Sequence, residues 1–142
     1  MKFCSKIGIN DTYHRLKIDA EDEKYTAFLI PYGTYITRVI QLRDCNAPAS
    51  FYNAMNNTFE GKLGVFGFLH IYDIFIFSNT YKEHLEHTRI VLNRLRKFKF
   101  YTNQSKSQLL PIELQVLGHI ITTRGIASIL QPVTHIVQCP IP

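Results

Sequence analysis

The sequence lacks the usual marks of a secreted or membrane-bound protein. Its cysteines, Cys4, Cys45 and Cys139, are odd in number and show no paired spacing, which argues against a disulfide framework and against a zinc site. No apolar run approaches the roughly 20 residues of a membrane span, and no signal-peptide pattern opens the sequence. We therefore expect an intracellular protein of the cytoplasm or nucleus, without a membrane partner, whose thiols are buried or chemically idle.

The excess of charge of one sign is also small. The 142 residues are 46% hydrophobic and contain no repeat or linker, which predicts one globular domain over residues 1–142. The net charge of +5 favours a polyanion as partner, because cations neutralise phosphates. The densest cations are Arg89, Arg94, Arg96, Lys97 and Lys99. They lie near the end of a predicted helix. Two interpretations stay open: a solvated face whose cations interact favourably with the helix dipole, and a contact with nucleic acid.

The most informative segment is residues 68–78, with the sequence FLHIYDIFIFS. Two apolar runs flank a short turn that carries one isolated carboxylate, Asp73, which predicts a buried β-hairpin with an acid at its tip. A carboxylate beside apolar strands must be hydrated, paired or bound to a cation. Asp73 is therefore a candidate metal ligand, and the alternative is an ordinary turn aspartate that faces water.

Helical signals occur in two places. Thr80 and Glu83 form a capping box that begins a helix over about 80–98. The stripe expected to pack on the hairpin consists of Leu85, Thr88, Leu92 and Leu95. A second helix should begin near Pro48 and continue toward Phe59.

The remaining pattern predicts strands in a mixed α/β (α+β) fold. They are expected at about 4–9, 14–18, 25–30, 35–40, 65–70, 74–78 and 112–122, with the last one broken near Gly118. Residues 19–23 are acidic and should form a solvated turn. His84 and His87 are one helical turn apart and could share a metal ion, but a solvated helix face is the preferred interpretation. His70, on an apolar strand, is expected to be a core residue.

The hairpin resembles the active-site hairpin of reverse transcriptases, above all those of gypsy-class long-terminal-repeat retrotransposons. In that family an aromatic, an apolar residue and two adjacent aspartates precede a strand reading like ILIFS. Those four positions are His70, Ile71, Tyr72 and Asp73 here. Further segments resemble the family in its own order: residues 5–7 with 13–14, 24–28, 46–51, 83–87, 91–96 and 117–121.

The resemblance implies a polymerase palm with part of the fingers, in which an antiparallel sheet with the active-site hairpin is backed by helices. It implies that the hairpin adjoins the strand that bears Gly8. We expect the N-terminal fingers, the thumb and the RNase H domain to be absent from this chain. The uncovered apolar surfaces would then favour self-association or contact with other retroelement domains.

The resemblance also implies two Mg²⁺ ions held by three carboxylates, one on the first catalytic strand and two at the hairpin. The strand position is Gly8 and the first hairpin position is Tyr72, so only Asp73 remains. Glycine offers no ligand atom, and a phenol with a pKa of about 10 is neutral. The Asp11 side chain would have to reverse its direction to reach the metal ions and replace a missing carboxylate. We expect an inactive polymerase with, at best, weak metal binding at Asp73 and no stably bound Mg²⁺.

The nucleotide-binding positions are partly kept. The resemblance places backbone N–H groups of Asp11 and Thr12 toward the triphosphate and Tyr13 beneath the sugar, although a strand tyrosine also packs well without a ligand. Where the family has an apolar-Pro-Phe-Gly-Leu wall, this chain has residues 40–44, which include Gln41 and Leu42. Arg43 replaces the glycine of that wall and adds a long cation. Nucleotide affinity should therefore be poor.

The primer grip implied by the resemblance is Leu117, Gly118 and His119. The expected partner is an RNA or DNA primer–template, bound weakly and without sequence preference. Three hypotheses remain open: a degenerate reverse transcriptase domain without activity, a repurposed palm that binds nucleic acid or a polymerase partner, and a residual enzyme that uses Asp73 with carboxylates from another chain.

Overall fold

The computed structural model describes residues 2–122 and 125–128. The strands are β1 (Phe3–Asn10), β2 (Phe28–Ile30), β3 (Gly33–Tyr35), β4 (Gly67–His70), β5 (Asp73–Ser78), β6 (Tyr101–Leu109), β7 (Glu113–Val116), β8 (His119–Thr122) and β9 (Gly125–Ser128). The helices are α1 (Ala47–Thr58) and α2 (Tyr81–Lys97), with short 3-10 turns at Tyr13–Arg15 and Glu23–Thr26. Neither α-helix of this described part has the length and apolar content needed to cross a bilayer.

The central sheet has the strand order β4-β5-β1-β6. Its pairs are antiparallel, and the register between β1 and β5 places Gly8 directly opposite Asp73. The predicted adjacency of these two motifs is therefore confirmed. The described residues also form two smaller sheets, the hairpin β2-β3 and the meander β7-β8-β9.

Alternation along the central strands gives the sheet two apolar faces. On one face, Ile7 and Ile74 pack in a core with Phe51 of α1 and Leu95 of α2. On the other face, Phe75 packs against Leu114 and Val116 of β7. The helices therefore back the hairpin, as predicted, while Gly8 and Asp73 belong to the face that carries Phe75.

Helix α2 forms where expected, but the face that it buries differs from the predicted stripe. The capping box between Thr80 and Glu83 is present in both directions. Leu85 is 50% exposed and Leu92 is 41% exposed, so the leucine stripe was wrong apart from Leu95. The buried face instead carries His84, Val91 and Leu95. His84 turns inward because two hydroxyls of the sheet bind its ring, which also corrects the solvated-face interpretation of this histidine.

Several predicted strands differ from the structure. Residues 14–18 contain a 3-10 turn and one bridge, between Lys17 and Val39, instead of a strand. The strands predicted at 25–30 and 35–40 shrink to the short hairpin β2-β3. The long strand β6 was not predicted, because its sequence YTNQSKSQL is polar on both faces.

The break near Gly118 and the acidic turn agree with the prediction. Leu117 and Gly118 have φ values of 51° and 79° and separate β7 from β8. Residues 19–22 are exposed and lie in a turn, whereas Glu23 begins the following 3-10 turn, is half-buried and pairs with Arg38 at 3.6 Å. Of the thiols, Cys4 is half-buried and burial raises its pKa, whereas Cys45 is exposed. Cys139 lies outside the described residues.

Candidate functional site

Hydrogen bonds anchor both central residues of the turn in the active-site-type hairpin. Strands β4 and β5 pair as far as His70 and Asp73, which leaves Ile71 and Tyr72 as the two-residue turn. Ile71 adopts a φ of 52°, an unfavourable conformation for a β-branched residue. Its N–H donates to the Tyr52 hydroxyl at 2.9 Å, and the Tyr72 carbonyl accepts from Ile9 N–H at 2.8 Å. These bonds hold Asp73 beside β1.

The Asp73 carboxylate is paired with a lysine of the neighbouring strand. Lys6 and Gly8 lie two residues apart on β1, so their side chains point to the same face of the sheet. Asp73 is opposite Gly8, and the Lys6 ammonium is diagonal to it, with Nζ 3.3 Å from Oδ2. Both side chains are half-buried. Of the three states open to this carboxylate, the structure shows the ion pair.

Gly8 is covered by an irregular part of β6. The register of β1 with β6 passes from Lys6 opposite Gln108 to Gly8 opposite Asn103. Residues 104–107 of β6 therefore face the single residue Ile7 and form what we call the β6 bulge. A Cβ atom on Gly8 would lie 2.7 Å from Cβ of Lys106 and 3.5 Å from Oδ1 of Asp73. The bulge thus occupies the space that a side chain at position 8 would need.

Hydrogen bonds hold the β6 bulge in place. Gly8 N–H donates to Ser107 Oγ at 3.1 Å, and that hydroxyl donates to the Asn103 carbonyl at 2.6 Å. The Asn103 side-chain oxygen accepts from Ser105 Oγ at 2.6 Å and from Lys106 N–H at 3.3 Å. Because the bulge is closed on itself and tied to β1, a side chain at Gly8 cannot be admitted by one rotamer change.

Tyr72 packs against the core side of the molecule. Its ring lies 5.5 Å from that of Tyr13 and 6.3 Å from that of Phe51, between centroids. A hydrogen bond with Tyr72, together with burial, raises the pKa of the Tyr13 phenol to about 12. Tyr13 is buried in the 3-10 turn instead of in a strand. The Tyr13 phenol therefore stays neutral and contributes no anionic oxygen.

The other predicted nucleotide positions lie near this cluster in two loops. Thr12 is buried and Asp11 is exposed, with an Asp11 carboxylate oxygen accepting from Asn10 Nδ2 at 3.1 Å. Gln41 N–H donates to Asp44 Oδ2 at 2.8 Å, which closes a tight turn before α1. Leu42 is exposed in that turn.

The loop of Gln41 and the loop of Tyr13 are joined through the backbone. Ile40 N–H donates to the Leu16 carbonyl at 3.0 Å. Leu16 lies just after the 3-10 turn of Tyr13, so the structure brings the two predicted nucleotide segments together. The predicted primer-grip residues lie elsewhere, in the turn between β7 and β8 and at the start of β8, where Leu117 and His119 are exposed. This turn follows Val116, and Val116 packs on Phe75. Phe75 lies two residues after Asp73 on β5.

The donor set at the hairpin does not fit a pair of magnesium ions. Across the part of the chain that the structure describes, no group of three His, Cys, Asp or Glu side chains is placed to hold a metal ion. Mg²⁺ prefers octahedral oxygen ligands with carboxylate charge. Asp73 supplies one carboxylate, which is already neutralised by Lys6.

Sequence reasoning missed Lys6, Lys106 and the β6 bulge as parts of this site. Lys6 had a usable signal, since it lies two residues before Gly8 and must share its face. The bulge had none, because residues 103–108 are polar in both strand faces and their register with β1 joins residues that are far apart in sequence.

Comparison with known proteins identifies the family. The model of the family Reverse transcriptase (RNA-dependent DNA polymerase) matches residues 1–121. The retrovirus-related Pol polyproteins of the Drosophila melanogaster transposons 297 and opus are 31% and 28% identical over 141 residues, which is 99% of this chain. The Tf2-3 transposon polyprotein of Schizosaccharomyces pombe is 24% identical over 134 residues. The chain spans only 10–14% of the length of these relatives.

Solved structures show the same fold. The foamy viral protease-reverse transcriptase dRH in complex with double-stranded DNA has a TM-score of 0.85 at 22% identity, covering 100% of this chain and 25% of that chain. The foamy viral enzyme in complex with an RNA/DNA hybrid has a TM-score of 0.82 at 23% identity, covering 99% of this chain and 19% of that chain. The predicted polymerase fold is thus confirmed. With the family model matching most of its length and transposon polyproteins as relatives, this chain belongs to the reverse transcriptase family as a domain of the retrotransposon type.

Proposed function

We propose that this chain is a reverse transcriptase domain that has lost its two-metal site and does not extend a primer. The observation that supports the proposal most directly is the pairing of Gly8 with Asp73. Two of the three positions that the family resemblance assigns to metal carboxylates lie side by side on β1 and β5, yet only one of these two carries an acid. Two metal ions are needed to clamp the attacking and leaving oxygens of an in-line phosphoryl transfer.

The local charge supports the same proposal. Lys6 and Asp73 form a neutral pair at 3.3 Å, so a divalent cation would have to displace the ammonium and then rely on a single carboxylate. Losing even an outer-shell partner of a metal site typically lowers metal affinity or activity about 10- to 100-fold. The loss of two direct ligands should therefore lower metal affinity or activity by more than the product of two such factors. Reverse transcriptases use Mg²⁺, and we expect this chain to bind it weakly at Asp73 or not at all.

The remaining substrate contacts are proposed to be partly retained. Backbone N–H groups of Asp11 and Thr12 would face a triphosphate, Tyr13 would lie beneath the sugar, and the turn of Gln41 and Leu42 would form a poor second wall. Tyr13 already packs on Tyr72 and Phe51, so its bulk is fixed. The proposed primer grip is the exposed turn at residues 117–119. RNA or DNA primer–template is the proposed partner, bound weakly because the net charge of the chain is only +5.

Primer extension tests the proposal. The purified chain is incubated with Mg²⁺, primed template and deoxynucleotides, beside an active reverse transcriptase and a no-enzyme control. We expect no template-dependent product from this chain, because one paired carboxylate does not assemble the clamp. Extension above the no-enzyme control would refute the proposal and would favour the residual-enzyme hypothesis.

Metal binding is measured by calorimetry in parallel, and restored carboxylates provide the matched variants. The triple variant combines Gly8→Asp and Tyr72→Asp with Lys106→Gly, which removes the Lys106 Cβ that would lie 2.7 Å from the Cβ added at position 8. We expect this triple variant to gain Mg²⁺ binding. Adding Asp73→Asn to that triple variant should abolish the gain. Polymerisation should still fail, since Arg43 and Gln41 disturb the nucleotide wall and reacting groups must be positioned closely. Equal Mg²⁺ affinity of the wild type and the triple variant would contradict this account.

A further inference from the structure

A buried row of hydroxyl and imidazole groups joins α2 to the sheet, on the face opposite Asp73. Ser5 Oγ lies 2.7 Å from His84 Nε2, and His84 Nδ1 lies 3.0 Å from Ser78 Oγ. Ser78 Oγ lies in turn 2.8 Å from His87 Nδ1. We call these four residues the serine–histidine relay. Ser5 is 0% and His84 is 1% exposed, whereas His87 at the far end is half-buried.

A fourth bond gives the relay its direction. Leu110 N–H donates to Ser5 Oγ at 3.0 Å, and a backbone amide can only donate. The Ser5 hydrogen is then free to be donated to His84 Nε2, so His84 carries its own hydrogen on Nδ1 and donates it to Ser78. The Ser78 hydrogen is donated to His87 Nδ1, and His87 carries its hydrogen on Nε2. In this arrangement each hydroxyl accepts one bond and donates one.

The opposite arrangement leaves a buried group unsatisfied. If His84 carried its hydrogen on Nε2, Ser5 Oγ would accept from both His84 and Leu110. Its own hydrogen would then have no other acceptor among the residues that the structure describes. A buried polar group without a partner costs about 1–3 kcal/mol. The bond from Leu110 therefore selects one tautomer for each histidine.

We propose that the serine–histidine relay is an acid-sensitive latch that holds α2 on β1 and β5 only while the His84 imidazole is neutral. A proton that arrives at His84 Nε2 removes the acceptor of the Ser5 hydroxyl. Ser5 Oγ must then accept from both His84 and Leu110, which strands its own hydrogen, or the bond between the helix and β1 breaks. Either outcome loosens the contact between the helix and the two strands that set Gly8 against Asp73.

The surroundings support acid sensitivity. Burial lowers the pKa of His84, and the charge of the neighbouring His87 lowers it further. The Phe3 ring lies 6.4 Å from His84, and Phe66 stacks on His87 at 4.1 Å, so the groups that face the two imidazoles from β1 and from the loop before β4 are apolar.

The nearby charged groups do not offset this effect. Glu83, on the same helix, is bound to Thr80 N–H, and Lys6 and Asp73 are paired on the opposite face of the sheet. The unfolded chain binds protons near the ordinary histidine pKa of about 6.5, before His84 does in the folded state. The stabilisation is therefore complete above that pH and is lost as the pH falls through the lower folded value.

Nuclear magnetic resonance of the ¹⁵N-labelled imidazoles tests the assignment on the unmodified chain. At a pH well above the histidine pKa we expect His84 in the Nδ1–H form and His87 in the Nε2–H form. Finding His84 in the Nε2–H form would overturn the proposal, whether or not any variant folds.

Urea unfolding from about pH 8 to about pH 5, across the ordinary histidine pKa, tests the latch itself. We expect the midpoint of the wild type to fall on acidification. His84→Gln, which retains one acceptor and one donor but does not titrate, should remove at least half of that fall. His14→Gln, at an exposed histidine outside the relay, should leave it unchanged. An equal fall in the wild type and His84→Gln, or a fall removed by His14→Gln, would refute the latch.

Discussion

Replacing Gly8 by alanine measures how firmly the position opposite Asp73 is closed. The added Cβ would lie 2.7 Å from Cβ of Lys106, whereas carbon atoms in favourable contact are about 3.5–4.0 Å apart. The β6 bulge must therefore move by roughly 1 Å. Overpacking of this kind costs about 1–3 kcal/mol. Alanine gains about 0.5–1 kcal/mol over glycine within a strand, so we expect a net loss of about 1 kcal/mol in the free energy of unfolding.

The assay is urea unfolding followed by circular dichroism for the wild type, Gly8→Ala, Lys106→Gly and the double variant. Because Lys106→Gly removes the atom that the new Cβ meets, the double variant should be more stable than the sum of the single losses predicts. Lys106→Gly alone is the matched control for the cost of a glycine in β6. The reasoning is refuted if Gly8→Ala is as stable as the wild type, or if the two losses simply add.

Two further predictions concern the helix start and the nucleic-acid contact. Thr80→Ala should lower the unfolding free energy by about 1 kcal/mol, because Thr80 accepts from Glu83 N–H and the Glu83 carboxylate binds Thr80 N–H; thermal melts beside the exposed neighbour variant Asn79→Ala check this, and equal losses would contradict it. Fluorescence anisotropy with a labelled primer–template should show weak binding whose salt slope reports only a few phosphate contacts. Tight binding that barely changes with salt would contradict that expectation.

The elements that could be predicted are those whose signals are local. Helix α2 follows from the capping box at Thr80 and from helical periodicity, and the hairpin follows from two apolar runs around a short turn. Strand β6 could not be predicted, because exposed polar residues such as Gln104 and Lys106 show no alternation. The buried face of α2 was mispredicted because a histidine counts as polar, although His84 can be buried once Ser5 and Ser78 satisfy both ring nitrogens.

The site divides in the same way. Gly8 and Tyr72 were found because the family motif assigns a carboxylate to each of these positions. Lys6 could be placed on the face of Gly8 from its spacing, whereas Lys106 acts through the register of strands that are distant in sequence, and no local pattern encodes that register. This has a consequence for variants at position 8. The Cβ of a carboxylate residue introduced at position 8 would still clash with Cβ of Lys106, and it would face an Asp73 that is already paired with Lys6. Under the proposed function, the neighbouring residues fill the space that the family's ligands would need, so carboxylates at positions 8 and 72 alone should not create a metal site.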